Sequence, residues 1–194
     1  MKVLAVIPAR LESTRLARKV LRDIAGQPML GRVYQGVRSA KALADVIVAT
    51  DSQEILELCR QQGWHARMTS ASCRSGTERV HEVSQSVPAD VYINVQGDEP
   101  MARAEHISSL IQLMQVPEVL VGTLKTPCAP PDINNPHAVK VVTDSAARAL
   151  YFSRATIPYD RDRTGARYYK HLGFYAYPKA ALDRFVALPE SSLE

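Results

Sequence analysis

Cysteine is scarce in this chain and follows no pattern. The 194 residues include three, Cys59, Cys73 and Cys128. An odd number without C-x-x-C spacing excludes a disulfide framework and a zinc knuckle, and it fits a reducing, cytoplasmic setting. Long apolar runs are missing as well. The opening segment has one lysine and then a short hydrophobic stretch ending at Pro8, far short of a signal peptide or a span, so no membrane association is expected. No sign of charge dominates: 24 basic against 20 acidic side chains leave a net +4. Much of that excess sits in the opening loop and in residues 148–170, which suits a small anionic ligand better than nucleic acid. Internal repeats, low-complexity tracts and the G-x-x-x-x-G-K-[ST] phosphate loop are all absent.

What is present reads as one domain of alternating strands and helices. Lys2–Ile7 is near-continuously apolar, as a strand buried on both faces should be. Helical spacing follows in Met29, Leu30, Val33, Tyr34 and Val37. Val46–Ala49 is a second strand ending in "TDSQE", where Asp51 and Glu54 stand at capping-box spacing ahead of a helix to about Gln62. His65–Met68 is a third strand, Glu78–Ser86 a short helix and Val91–Val95 a fourth strand. A helix carrying Ile107, Leu110, Ile111 and Met114 comes next. This alternation predicts an α/β fold with a mostly parallel central sheet covered on both faces. From Val119 the rhythm changes: strand-like segments at Val119–Leu124, Val139–Val142 and Leu150–Ser153 are separated by turns. They predict a mixed β extension in the C-terminal half, with a last helix near Ala180–Ala187.

Ligands of open parallel sheets bind beyond the carboxyl ends of the strands. After strand one, Arg10, Arg15, Arg18 and Lys19 gather beside Ser13 and Thr14, and guanidinium forks with a lysine match phosphate oxygens. A solvated basic turn is the plainer alternative. After strand four, "QGDEP" places Asp98 at a rigid rim, where one carboxylate suits Mg²⁺ that completes its shell with phosphates and water. A turn closed by Pro100 competes. In "SCRSGTER", Ser75, Gly76 and Thr77 offer backbone donors at a helix start, or else Thr77 simply caps that helix. Arg154, Tyr169, His171 and Tyr175 are polar groups on strand-like stretches that either line a sugar or carboxylate pocket or serve structure. Together these features predict a nucleotide-handling α/β domain, and leave a nucleotidyltransferase, a glycosyltransferase and a phosphatase-like enzyme all open.

Nine segments in order along the chain add a resemblance. "IPARLESTRL", Lys19, "GQPML", "VIVATD", "MTSASCRSGTERV", "NVQGDEPM", "NPHAVKVV", "YFSRATIPYDRDR" and "KHLGFYAY" together resemble the 3-deoxy-manno-octulosonate cytidylyltransferases, or CMP-Kdo synthetases. The resemblance implies a nucleotide-diphosphosugar-transferase-like three-layer sandwich, a cytoplasmic homodimer, and activation of the acidic sugar Kdo by CTP and Mg²⁺ for lipopolysaccharide biosynthesis. By the same resemblance, Arg10, Lys19 and Asp98 are catalytic. Pro8, Ala9, Arg10, Ser13, Lys19, Arg74 and Ser75 bind the nucleotide. Arg15, Gln96, Arg154, His171, Tyr175 and Glu194 contact the sugar, and Asp98 ligates the metal. Residues 1–118 would form the nucleotide-binding core, and 119–194 the sugar-binding, dimerising part of the same domain.

Three features depart from that pattern. Ala17-Arg18 stands where the family has Pro-Gly, removing a glycine that takes positive φ freely. Cys73-Arg74 replaces His-Gln, and an arginine donates hydrogen bonds but accepts none. The sequence ends at "PESSLE", where the family continues to a further acidic metal ligand. Transfer to a related acidic sugar, and a truncated nucleotide-binding homologue with little catalysis, are therefore carried as alternatives.

Overall fold

The computed structural model describes residues 1–11 and 18–189. Its elements run β1 (Val3–Pro8), a 3₁₀ turn (Lys19–Leu21), β2 (Asp23–Ile24), β3 (Gln27–Pro28), α1 (Met29–Arg38), β4 (Asp45–Thr50), α2 (Gln53–Gln61) and β5 (Ala66–Met68). They continue with α3 (Gly76–Ser86), β6 (Val91–Val95), α4 (Ala104–Leu113), β7 (Gly122–Pro127), α5 (Pro130–Ile133), β8 (Lys140–Thr143), β9 (Ala149–Ser153), β10 (Tyr169–Pro178) and α6 (Lys179–Ala187). Two compact units result: Met1–Gly122 with Phe174–Glu194, and Thr123–Gly173. A sequence division at 118/119 falls near the first crossing of the chain, but the last strand and helix return to the first unit.

In the first unit the parallel order is β5-β4-β1-β6, and the Phe174–Pro178 part of β10 runs antiparallel along β6. β1 sits between β4 and β6 with its first five residues at most 1% exposed, which is why its sequence is apolar without alternation. Leu4 and Val6 point to one face and pack with Val80 and Val83 of α3, Tyr177 of β10 and Leu182 of α6. The sheet's helical cover is completed by α1, which buries Leu30, Val33 and Val37, and α4, which buries Ile107 and Leu110. This is the α/β layering expected from the alternation of elements.

Both expected helix caps are shifted. α2 is capped by Ser52, whose Oγ accepts from the Ile55 N–H at 3.3 Å, while Asp51 pairs with Arg79. α3 starts at Gly76 and is capped by Ser75, whose Oγ accepts from the Glu78 N–H at 3.1 Å. Thr77 instead lies inside the helix, its hydroxyl turned to Asn94 and Tyr177. Each serine satisfies an orphan amide and stabilises its helix by about 1 kcal/mol.

In the second unit β8 pairs antiparallel with β9, and Lys140 is in register with Lys170 of β10. β7 also pairs with β10. The expected strand at Val119–Leu124 thus begins three residues late, because the turns after α4 extend through Val121.

Candidate active site

Three chain segments meet at the carboxyl rim of the first unit's sheet. The Gly97 N–H donates to the Pro8 carbonyl at 3.2 Å, tying the loop after β6 to the end of β1. A Cβ on Gly97 would lie 2.8 Å from that carbonyl oxygen, so only glycine permits the approach. At the start of α3, Gly76 is packed in the same way: a Cβ there would meet the Gln96 amide at 3.2 Å and the Pro8 ring at 3.3 Å. Small residues at the turns therefore bring the ends of β1 and β6 against the N-terminus of α3.

Lys19 and Asp98 meet at this rim. The Lys19 Nζ donates to Asp98 Oδ2 at 2.7 Å, across 79 positions of sequence. The 3₁₀ turn anchors the lysine by burying its neighbour Val20, which packs near Gly97. Both side chains stay open, 36% and 45% exposed, so the pair is hydrated and easily exchanged for other partners. Ala9 is buried, with its N–H bonded to the Ala49 carbonyl at 2.9 Å, and this sets exposed Arg10 just beyond the rim. Ser13, Arg15 and Glu194 lie outside the described residues.

Arg18 has a left-handed backbone, with φ 57° and ψ 28°, a conformation that glycine adopts freely. Its guanidinium forms an ion pair with Glu54 of α2. With Leu21, Asp23, Pro28 and Leu58 these residues line a cavity of about 470 Å³. The extra positive charge is thus neutralised by α2.

The segment from Thr69 to Ser75 is clamped by α3. Arg79 is 4% exposed; it pairs with Asp51 and donates to Thr69 Oγ1 at 2.7 Å and to the Ser70 carbonyl at 3.1 Å. Glu82 accepts the Ser70 N–H on both oxygens at 3.0 Å, and the Cys73 thiol at 3.2 Å. Burial, reinforced by Glu82, pushes that thiol up to about 11. Arg74, just ahead of α3, turns onto that helix's first turn: its N–H donates to Glu78 Oε2 at 2.7 Å and its Nε to Oε1 at 3.0 Å. The Arg74 N–H is the main reason the Glu78 carboxyl sits below its ordinary range. Arg74 is therefore on the expected segment, but its guanidinium is engaged by Glu78.

Behind the rim lies a polar chain in which the sequence reading missed Asn94 and Tyr177. Gln96 Nε2 donates to Asn94 Oδ1 at 3.1 Å, and Asn94 Nδ2 approaches Thr77 Oγ1 at 3.5 Å. Thr77 is bonded to Tyr177, whose phenol is pushed up to about 12 by burial. Tyr175 stacks on Tyr177 at 6.3 Å, and burial likewise raises its phenol. The available signal was an asparagine inside the otherwise apolar strand "VYINV", since a buried amide must find partners.

In the second unit the Arg154 Nη1 donates to the Pro136 carbonyl at 3.0 Å. His171 Nε2 lies 2.9 Å from Thr123 Oγ1, and its ring meets Phe152 edge-on at 4.9 Å. Burial lowers the imidazole pKa, favouring the neutral ring.

Among the described residues no group of three or more His, Cys, Asp or Glu could hold a metal, and no helix is long and apolar enough to cross a membrane. Asp98 supplies one half-exposed carboxylate. That donor set fits a hard cation that takes the rest of its shell from phosphates and water.

Comparison with known proteins agrees with this geometry. The model of the family described as "Cytidylyltransferase" matches residues 4–194. A 3-deoxy-manno-octulosonate cytidylyltransferase of Koribacter versatilis is 64% identical over all of this chain and 74% of its own length. The protein of the same name from Acidobacterium capsulatum is 56% identical over all of this chain and 80% of its own. Among solved structures, CMP:2-keto-3-deoxy-manno-octonic acid synthetase complexed with CTP superposes with a TM-score of 0.93 at 43% identity, covering 99% of this chain and 80% of that one. Its nucleotide-diphosphosugar-transferase layering is the layering described above. With a family model matched along nearly the whole chain and relatives that share well over half its residues, the chain belongs to the 3-deoxy-manno-octulosonate cytidylyltransferase family.

Proposed function

We propose that this chain transfers the cytidylyl group of CTP to the anomeric hydroxyl of 3-deoxy-manno-octulosonate, releasing pyrophosphate and yielding CMP-Kdo for lipopolysaccharide biosynthesis. The sugar hydroxyl attacks the α-phosphorus in line. A new P–O bond forms, the bond to the β-phosphate oxygen breaks, and the hydroxyl proton is lost. The observation that carries this reading is the contact of Lys19 with Asp98 at a rim shared by Pro8, Gln96 and the start of α3. A lysine and an aspartate that neutralise each other here can part to take a phosphate and a metal, respectively.

In this reading Arg10 and Lys19 grip the β- and γ-phosphates, and they stabilise the charge that grows on the leaving pyrophosphate. Pro8 and Ala9 form the rigid floor beneath them. Ser75 and the first turn of α3 face the nucleoside, with Arg79 and Glu82 keeping that loop in place. Arg74 reaches the base only by leaving Glu78. Asp98 would hold Mg²⁺, which neutralises phosphate charge when bound. Gln96, Tyr175, Arg154 and His171 are each read as sugar contacts. A neutral His171 serves as a hydrogen-bonding group rather than a cation. The residues act by orientation and electrostatics, and no covalent enzyme intermediate is needed.

A homodimer is part of the reading. It is supported by β9, whose Leu150, Tyr151 and Phe152 are 67%, 61% and 41% exposed on a short strand. Three free thiols suit a cytoplasmic enzyme. The test is pyrophosphate release from CTP and Kdo in the presence of Mg²⁺, with Lys19→Ala as the control. Turnover well above the control is expected, and release no faster than the control overturns the reading. Parallel assays with other acidic sugars fix the acceptor.

A further inference from the structure

Lys140 is the most deeply buried charged side chain described, at 0% exposure, and the chemistry above does not use it. It stands on β8 opposite Ser153, the last residue of β9. Its Nζ donates to the carbonyls of Asn135 at 2.8 Å, Ala138 at 2.7 Å and Arg154 at 2.7 Å. Three acceptors match the three donors of an ammonium, so carbonyl dipoles do the work of a counter-ion. Two of them, Asn135 and Ala138, belong to the loop whose middle carbonyl, Pro136, receives the Arg154 guanidinium. Arg154 is thus held at both ends by one assembly. Its main chain is bound by Lys140 directly, and its side chain rests on a loop that Lys140 braces on either side.

We propose that Lys140 is a positioning residue for the sugar substrate, acting through Arg154. The inference rests on the reading of Arg154 as a sugar contact. A lysine needed only to close the β8–β9 hairpin would not have to reach the 135–138 loop. Burying an ammonium carries a desolvation cost that packing of the hairpin alone does not require. Spending all three donors on the carbonyls that frame one exposed arginine is the arrangement expected if the direction of that arginine matters.

The test compares the chain with its Lys140→Met, Arg154→Ala and doubly substituted variants in steady-state assays. Lys140→Met is expected to raise KM for the sugar about tenfold, to leave KM for CTP within about twofold, and to add nothing in the Arg154→Ala background. An unchanged sugar KM, or an equal rise for both substrates, overturns the positioning role. Arg154→Ala without effect on the sugar KM overturns the premise instead, so the two failures are distinguishable. Should Lys140→Met not fold, the wild-type chain still decides. The slowest-exchanging lysine ammonium signal in ¹⁵N NMR is expected to shift on titration with the sugar and not with CTP, and a signal unmoved by the sugar overturns the proposal.

Discussion

Two sets of cations, one at the rim of the first compact unit and one around Arg154 in the second, are held in opposite ways. At the rim of the first, cations are paired with carboxylates: Lys19 with Asp98, Arg18 with Glu54 and Arg74 with Glu78, all with side chains at least partly open to water. In the second, Lys140 and Arg154 are held by main-chain carbonyls. A hydrated ion pair contributes little to stability, and either partner can exchange it for a phosphate or a metal at little cost. A carbonyl cage around a buried ammonium has no such alternative, and opening it leaves several polar groups unsatisfied. The first arrangement suits groups that must trade partners during a reaction, the second a framework that must not move.

The sharpest way to break this comparison is to measure activity and stability on the same variants. Lys19→Met and Asp98→Asn should each lower kcat by about 100-fold or more, because each removes a charge from the developing phosphate chemistry. Their unfolding free energies from urea titration should stay within about 1 kcal/mol of wild type, as expected of an exposed pair. Lys140→Met should do the reverse on the stability axis, costing about 3 kcal/mol by leaving three carbonyls without their donor. If the Lys19 and Asp98 variants unfold first, the rim is framework and the distinction fails.

Helix caps supply a finer version of the same contrast. Ser75→Ala should cost about 1 kcal/mol in chemical denaturation, since its Oγ satisfies the Glu78 amide. The effect should appear chiefly as lost stability with the fold intact. Thr77→Val, by contrast, should disturb the Asn94–Tyr177 contacts while leaving the helix start in place. Equal losses of helix content in the two variants would show that the cap is shared.

How far these relations could be read from sequence follows from their range. The strands Val3–Pro8, Asp45–Thr50 and Val91–Val95 announce themselves through apolar runs bounded by turn residues, because burial on both faces leaves few polar positions, Thr50 and Asn94 among them. The caps are misplaced in the sequence reading. "TDSQE" and "RSGTE" point to Asp51 and Thr77, and what moves the caps to Ser52 and Ser75 is that Asp51 is drawn to Arg79 and Thr77 to Asn94, partners supplied by the fold. The meeting of Lys19 with Asp98 was expected from the rule that ligands sit beyond strand ends. Its cause, the close approach allowed by Gly97, is a matter of packing that no local pattern displays. Lys140 was the least visible: within "HAVKVV" nothing but its apolar neighbours hints that its charge lies inside.

The smallest expected effect tests whether rim charges are replaceable. Arg18 holds a left-handed backbone at φ 57° that glycine adopts freely, a cost of about 1 kcal/mol for a side chain. Arg18→Gly relieves that cost. It also gives the unfolded chain more freedom, worth about 0.5–1 kcal/mol, and removes an exposed ion pair worth about 0–1 kcal/mol. The contributions partly cancel, so the net change in stability should lie between a gain of about 0.5 and a loss of about 1 kcal/mol. Glu54→Gln separates them: its effect in wild type isolates the pair, and in the Arg18→Gly background it should have none. A coupling above about 1 kcal/mol would mean that α2 and the opening loop are locked together by this contact. Arg18 would then belong with fixed charges such as Lys140 rather than with the exchangeable ones of the rim. A coupling near zero leaves it among side chains that can turn from Glu54 to an incoming anion.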